Sequence, residues 1–238
     1  MNLDILAFGA HPDDVEISMG GTVLHYVDQG KKVGVVDITE GELGTRGTVE
    51  TRYAESKESS ELLGIHFRHN LQMKDGFFQH TEENLISIIQ QIRRFRPEIV
   101  FANSVLDRHP DHARAAKLVA EATFLSGLTK IQTHWGGEVQ PAYRPRLILH
   151  YIQDYLIQPT VLFDVTPYLS KKLESIKCYK TQFYDPNSVE PSTPISGKEF
   201  FDFLTGRMRE FGRPIGVDFA EGFTSTKLIG VSDLFDLK

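Results

Sequence analysis

The sequence predicts an α/β fold: a Rossmann-like, doubly wound and mostly parallel sheet with an elaborated C-terminal segment. Two observations support this prediction. Short and mainly apolar runs, such as residues 33–39, are typical of strands that are covered on both faces. Segments with the apolar spacing of helices lie between these runs, and strands that alternate with helices are typically joined into a parallel sheet.

The elements of residues 1–155 follow from this alternation and from the residues that end it. Gly30 and Gly64 stand directly after helical segments, where glycine is a common stop signal. A polar, glycine-rich loop over residues 40–51 separates the second strand from the second helix. The predicted strands lie at residues 3–10, 33–39, 65–71, 97–103 and 146–152, and the predicted helices at 15–29, 53–63, 82–95 and 111–125.

The alternation weakens after Tyr155. A strand at residues 160–165 and helices at 167–180 and 199–212 are predicted, with a long proline-containing loop over residues 183–194 between the helices. The remaining C-terminal residues have a mixed pattern that favours no single element.

Length and composition fit one large globular domain. The 238 residues are 40% hydrophobic, which is enough to build a full core. We therefore expect a single domain over residues 1–238, with the Rossmann-like core over about 1–155 and the C-terminal elaboration over about 156–238.

Charge and cysteine content exclude several classes of function. The formal net charge is −6 and no block of Lys and Arg is present, so neither nucleic acid nor a membrane is an expected partner. No apolar run approaches the roughly 18 residues of a membrane span, and the first residues lack signal-peptide features. Cys178 is the only cysteine, which leaves no internal disulfide and no cysteine zinc site. We expect a cytoplasmic location.

Three polar stretches follow predicted strands, at residues 11–14, 40–52 and 107–112. Sites in open α/β sheets form beyond the carboxyl ends of the strands. The fold would therefore bring these distant stretches to one edge of the sheet.

Two of these stretches contain residues that suit a metal site. A catalytic zinc site uses three protein ligands and leaves a position for water. The motif His11-x-x-Asp14 can supply two ligands, and either His109 or His112 can supply the third. Spacing alone does not decide whether Asp13 or Asp14 is the ligand.

The groups that remain match the other roles in a metal-dependent hydrolase. The remaining aspartate could serve as the base that takes a proton from water. The remaining histidine, held in its charged form by Asp111, could stabilise the negative charge of the tetrahedral intermediate. Taken singly, each residue could instead be structural, since aspartates often cap helices, but that reading does not explain the whole set.

The loop "GELGTRGTVETR" offers Glu42, Arg46 and Arg52 as candidate substrate-binding residues. The forked guanidinium of arginine suits pairs of hydroxyls or a carboxylate. No Gly-x-Gly-x-x-Gly motif follows the first strand, which argues against a dinucleotide enzyme. Two alternatives remain open: another metal hydrolase such as a phosphoesterase or a different amidohydrolase, and a non-catalytic metal- or sugar-binding protein.

The motifs "AHPDD", "GELGTRG" with a downstream arginine, and "HPDH" resemble those of the LmbE-like (PIG-L) family of zinc-dependent N-acetylglucosamine deacetylases. The C-terminal tail resembles more narrowly the bacillithiol-biosynthesis deacetylase branch. The resemblance implies a Rossmann-like fold, one Zn²⁺ per chain with another divalent metal as the alternative, and N-acetylglucosaminyl malate as substrate. The branch is associated with hexamers, so a homo-oligomer is implied.

The resemblance also implies roles for individual residues. Asp13 would be the general base, and Arg52 would bind sugar hydroxyls. His109, oriented by Asp111, would stabilise the oxyanion and could protonate the leaving amine. The implied zinc ligands are His11, Asp14 and His112.

Overall fold

The computed structural model describes residues 1–237 and contains one large sheet with helices on both of its faces. The strands are β1 (Ile5–Gly9), β2 (Val33–Thr39), β3 (Phe67–Met73), β4 (Ile99–Ala102), β5 (His134–Trp135), β6 (Glu138–Val139), β7 (Leu147–Tyr151), β8 (Val161–Asp164) and β9 (Ala220–Thr224). The helices are α1 (Asp14–Asp28), α2 (Val49–Leu63), α3 (Glu82–Phe95), α4 (Pro110–Leu125), α5 (Leu169–Lys177) and α6 (Glu199–Gly212).

The central sheet has seven strands in the order β3-β2-β1-β4-β7-β9-β8. The first five are parallel, and β9 pairs antiparallel with both β7 and β8. The remaining strands, β5 and β6, form a separate two-stranded hairpin. The predicted α/β class and mostly parallel sheet are confirmed.

Each face of the sheet is covered by its own apolar layer. Ile88 of α3 and Leu118 of α4 belong to the layer on one face, where they pack with Phe8. Val23 of α1 and Leu63 of α2 belong to the layer on the other face. The central strands β1 and β2 are buried along their whole length because both layers cover them. This explains why their sequences read as continuous apolar runs.

The C-terminal segment completes the sheet through β9, which the sequence did not predict. Glu221 of β9 is buried and accepts hydrogen bonds from the backbone N–H groups of Gly21 and Thr22 and from Lys172. The N–H groups of Gly21 and Thr22 need such an acceptor because α1 loses helical geometry at Met19. The strand was missed because a buried glutamate interrupts its apolar pattern.

Several predicted boundaries differ from those observed. Helix α2 begins at Val49 rather than at residue 53, because Thr48 and Thr51 form a reciprocal capping box that starts the helix earlier. The hairpin β5–β6 was not predicted, since two-residue strands carry no periodic signal. None of the helices in residues 1–237 combines the length and apolar character needed to cross a bilayer.

Candidate active site

A cavity of about 460 Å³ lies at the carboxyl edge of the sheet and is lined by all three polar stretches. His11 follows β1, Arg52 lies in the first turn of α2, and His112 lies in the first turn of α4. The loop between α5 and α6 adds Thr193 and Ile195 to the wall. The convergence of these stretches follows from the parallel arrangement of the strands.

The turn between β1 and α1 gives two neighbouring aspartates different surroundings. Asp13 has a positive φ of 128°, which is rare for a residue other than glycine, and its side chain does not cap the helix. Arg52 Nη1 donates to Asp13 Oδ2 at 2.8 Å and to the Pro12 carbonyl at 2.6 Å. Asp14 instead begins α1 and faces two imidazoles. The strained backbone at Asp13 thus separates the two carboxylates.

His11 and His112 are each held by a carboxylate at one ring nitrogen and face Asp14 with the other. His11 Nε2 lies 3.0 Å from Asp75 Oδ1, and His11 Nδ1 lies 3.7 Å from Asp14 Oδ2. His112 Nδ1 lies 2.9 Å from Asp107 Oδ1, and His112 Nε2 lies 3.2 Å from Asp14 Oδ1. Histidines that bind metals commonly have this arrangement, because the carboxylate fixes the ring and its tautomer.

The carboxylates also control the charge of the two imidazoles. Burial lowers the pKa of His11, but hydrogen bonds to Asp111 and Asp75 and the charge of Asp14 outweigh burial and raise the pKa to about 10. Burial likewise opposes the charged form of His112, and the carboxylates of Asp14 and Asp107 raise its pKa to about 9. Positive charge is therefore favoured between these carboxylates.

The donor set fits a divalent metal. Two imidazole nitrogens and one carboxylate are the ligand types of a catalytic zinc site, and His11, Asp14 and His112 present them to one another. His109 is an additional neighbour, since nitrogen atoms of His11, His109 and His112 all lie within 4.8 Å of one another. Asp75 and Asp111 also lie near His11, but backbone N–H groups of Leu43 and Gly76 already donate to their oxygens.

The predicted pairing of the Asp111 carboxylate with the His109 ring is wrong. The Asp111 carboxylate accepts hydrogen bonds from Arg114 and from the Gly76 N–H, and lies 3.5 Å from His11 Nε2. It is instead the backbone N–H of Asp111 that donates to His109 Nδ1, at 3.3 Å. The reason is that His109 caps the N-terminus of α4, while the Asp111 side chain extends toward the loop after β3.

The three loop residues predicted to bind substrate have different environments. Arg52 lines the cavity, and its Nη2 donates to Gln182 Oε1 at 2.8 Å. Glu42 lies outside the cavity wall and accepts a hydrogen bond from the Asp75 N–H. Arg46 is buried away from the cavity and donates to Ser188 in the loop between α5 and α6. Both side chains therefore hold neighbouring loops in this structure, and their contact with substrate stays a prediction.

Two carboxylates of the site, Asp75 and Asp107, were not predicted. Asp107 lies directly before the second motif, and its other oxygen accepts the N–H of Asp154 at 2.7 Å. Asp75 precedes Gly76 in the turn after β3. The available sequence signal was their position, since both follow strands of the parallel sheet, but no spacing rule links either one to a particular histidine.

Comparison with known proteins identifies the chain as a hydrolase of the deacetylase class. A family model described as "PIG-L: GlcNAc-PI de-N-acetylase" matches residues 6–123. The chain is 30% identical over 189 residues to the diacetylchitobiose deacetylase of Thermococcus kodakarensis, covering 75% of this chain and 70% of that protein. The chain belongs to the PIG-L family.

Two further similarities are informative. A conserved protein from Thermus thermophilus, TT1542, has a solved structure that superposes with a TM-score of 0.84 at 33% identity, covering 97% of this chain and 98% of that chain. The Bacillus anthracis protein named "Probable N-acetyl-alpha-D-glucosaminyl L-malate deacetylase 2" is 26% identical over 192 residues, which cover 75% of this chain and 81% of that protein. The bacillithiol branch is thus a more distant relative than the chitobiose deacetylase.

Proposed function

We propose that this enzyme is a zinc-dependent deacetylase that removes the acetyl group from an N-acetylglucosamine conjugate. The single observation that carries the proposal is the arrangement around Asp14, where His11 and His112 face one carboxylate and are each supported by another. A non-catalytic binding protein would have no need of a second, separately held carboxylate, and Asp13 is such a group.

The proposed reaction is hydrolysis of the acetamide. A zinc ion held by His11, Asp14 and His112 would polarise the acetyl carbonyl and favour deprotonation of water. The water oxygen forms a bond to the acetyl carbon, and its proton passes to Asp13. The C–N bond then breaks, the amine nitrogen takes up the proton, and acetate is released. Asp13 therefore acts first as base and then as acid.

Asp13 has the properties of such a proton carrier. In the metal-free chain, burial raises the pKa of Asp13, the charge of Arg52 opposes the rise, and the nearby Asp14 adds to it, so that the pKa lies at about 7. A carboxyl group with a pKa near neutrality can both accept and return a proton at physiological pH.

His109 is proposed as the donor to the developing oxyanion. Its Nδ1 accepts the N–H of Asp111, so Nε2 carries the proton in the neutral ring. In the metal-free chain, burial and the positive charges of His11 and His112 lower the pKa of His109. A divalent cation held by those two residues would favour the neutral form of His109 in the same way. The neutral ring needs no carboxylate partner to donate, and Asp111 then acts by orienting the ring through its backbone.

The residues that line the cavity support a proposal for the aglycone, the group attached to N-acetylglucosamine in the substrate. Phe77, Phe200 and Phe203 line the cavity, and the Phe77 side chain is 63% exposed. Aromatic faces of this kind pack against the apolar faces of sugar rings. This wall supports a second sugar, as in diacetylchitobiose, as the first candidate aglycone.

N-acetylglucosaminyl malate in bacillithiol biosynthesis is the second candidate, supported by the C-terminal tail. Its two carboxylates need cationic partners. Arg108 at the cavity is paired with Asp154, and Arg52 is occupied by Asp13 and Gln182. Arg108 contacts Asp154 through Nε and its side chain is 47% exposed, so it is the candidate partner for a carboxylate of a malate aglycone.

The test is an amine-release assay with Zn²⁺ on N-acetylglucosamine, diacetylchitobiose and N-acetylglucosaminyl malate, with Asp13→Asn as the control for contaminating activity. The proposal expects release from at least one conjugate at a kcat/KM above that of free N-acetylglucosamine. Absence of release from all three substrates by the zinc-loaded protein would contradict it. A homo-oligomer, with a hexamer as in the branch that the tail resembles, is also proposed and is tested by light scattering.

A further inference from the structure

We propose that Asn103 and Gln153 form a carboxamide clamp, a pair of positioning residues that hold the Asp14 carboxylate in the orientation required for metal binding. The inference rests on the proposed function in that Asp14 is taken to be a metal ligand. Neither amide residue was singled out by the sequence motifs, and neither is itself a metal ligand in the proposed site.

Each amide donates to a different oxygen of Asp14. Asn103 Nδ2 lies 2.9 Å from Oδ2, and Gln153 Nε2 lies 2.9 Å from Oδ1. The backbone N–H of His11 also donates to Oδ2, at 2.9 Å. The carboxylate plane is thereby held from both ends, since a rotation of the group would break these hydrogen bonds.

The orientation of both amides is determined by their other partners. The Ala10 N–H donates to Asn103 Oδ1 at 2.9 Å, and a backbone N–H can only donate. The Nδ2 group of Asn103 must therefore point to the opposite side, where it donates to Asp14 and also to Gln153 Oε1 at 2.9 Å. Because Gln153 Oε1 accepts this bond, its Nε2 must face Asp14. No alternative amide flip satisfies the same partners.

The clamp is built from three neighbouring strand ends. Ala10 follows β1, Asn103 follows β4, and Gln153 lies just beyond β7, in the sheet order β1-β4-β7. Both amides are buried, with Asn103 0% and Gln153 7% exposed. Arg207 of α6 donates to the Gln153 carbonyl, which ties the C-terminal segment to the clamp. A buried network with every member paired is rigid.

Neutral donors suit this position. A lysine or arginine beside Asp14 would also orient the carboxylate, but its positive charge would repel a divalent cation a few ångströms away. An amide orients the carboxylate without opposing the metal. Hydrogen-bond partners of metal ligands typically change metal affinity by about 10–100-fold when they are removed.

The experiment measures Zn²⁺ and Co²⁺ dissociation constants by chelator competition for the full chain and for Gln153→Met and Asn103→Leu, which remove the donors without adding charge. Gln140→Met and Asn70→Leu are matched controls, because both amides are also buried and hydrogen bonded but do not contact Asp14. Thermal unfolding of the metal-free proteins accompanies the titrations, since a merely structural role would lower stability and leave the dissociation constant of the folded protein unchanged.

We expect both clamp variants to bind metal at least about tenfold more weakly, with the controls within about twofold of the unchanged protein. If Asn103→Leu does not fold, Gln153→Met alone decides. Metal affinity of Gln153→Met within twofold of the unchanged protein overturns the clamp. The proposed function is tested separately, by metal binding and amine release of the unchanged chain. If the unchanged chain binds metal but has no deacetylase activity, the proposed function fails and the clamp can still be tested. If the unchanged chain binds no metal, the proposed function and the clamp are both overturned.

Discussion

Arg52 Nη1 lies 2.8 Å from Asp13 Oδ2, and both side chains are buried at the base of the cavity. A buried carboxylate needs such a partner to remain charged. Burial and the charge of Asp14 raise the pKa of Asp13, and the charge of Arg52 lowers it. The resulting pKa of Asp13 in the metal-free chain is about 7. Arg52 thus sets the protonation of the proposed base, besides any contact that it makes with substrate.

We predict that Arg52→Met raises the pKa of Asp13 and moves the acid limb of the pH profile of kcat/KM to higher pH. The base would then be protonated at neutral pH, and activity would recover partly on the alkaline side. Arg46→Met is the matched control, since Arg46 is a buried arginine near Arg52 that contacts Ser188 and the Phe183 carbonyl rather than Asp13. An unmoved acid limb in Arg52→Met would remove Asp13 as the titrating base.

We predict that His112→Ala loses bound metal and that His109→Ala retains it. His112 faces Asp14 and is held by Asp107, whereas His109 Nδ1 is occupied by the backbone of Asp111. His109→Ala should lower kcat by roughly 10²–10³-fold, the usual effect of removing an oxyanion donor. Metal content by elemental analysis and kcat at saturating zinc are the measurements. Loss of metal in His109→Ala would exchange the roles of the two histidines.

We predict that removal of metal by a chelator abolishes activity without unfolding the chain, because the two apolar layers on the sheet do not depend on the site. Circular dichroism and amine release before and after chelation are the measurements. Full activity should return when zinc is added back. A loss of secondary structure on chelation would mean that the metal is part of the folded core.

We predict that the metal-free protein loses stability as pH rises through the pKa values of its site histidines. The folded-state pKa values of His11 and His112, about 10 and about 9, lie above the unfolded value of about 6.5. The contribution of these two histidines to the free energy of unfolding is therefore fully present below about pH 6.5 and is lost as the pH approaches 9–10.

The measurement is the thermal midpoint of metal-free protein across this range, compared with His112→Gln. The difference in thermal midpoint between the unchanged protein and His112→Gln should decrease toward high pH. His80→Gln is the control, since His80 pairs with Glu121 at the surface. A pH-independent difference for His112→Gln would contradict the raised pKa of His112.

We predict that Arg68→Met destabilises the protein by about 3–5 kcal/mol, the usual cost of leaving a buried charge without its partner. Arg68 donates through two nitrogens to Asp37 and through a third contact to Glu16, and both carboxylates are buried. Denaturant unfolding measures the change. Arg146→Met, which breaks an exposed pair with Glu98, should change stability by no more than about 0.5 kcal/mol.

The sequence by itself predicted six of the seven strands of the central sheet, the six α-helices and the three stretches that meet at the edge of the sheet. Apolar runs and helical spacing indicate which residues are buried. The central strands are buried because they lie between two apolar layers, so their sequences show this position directly. The bounds of β2, α3 and α6 were predicted to the residue. One rule, that parallel strands end at the same edge of a sheet, was enough to predict that the following residues lie at that edge: His11, Asp13, Asp14, His109 and His112.

Only the tertiary structure decided which side chains face one another. Asp107 holds His112, Asp75 holds His11, and Asn103 and Gln153 hold Asp14. Asp107 and His112 both follow β4, so their pairing depends on the path of the loop into α4. The other pairs join segments that follow different strands, so they depend on strand order, which leaves no periodic trace in the sequence. The same reason explains the misplacement of Asp111, whose carboxylate reaches Gly76 beyond β3 because that strand end lies nearby in space.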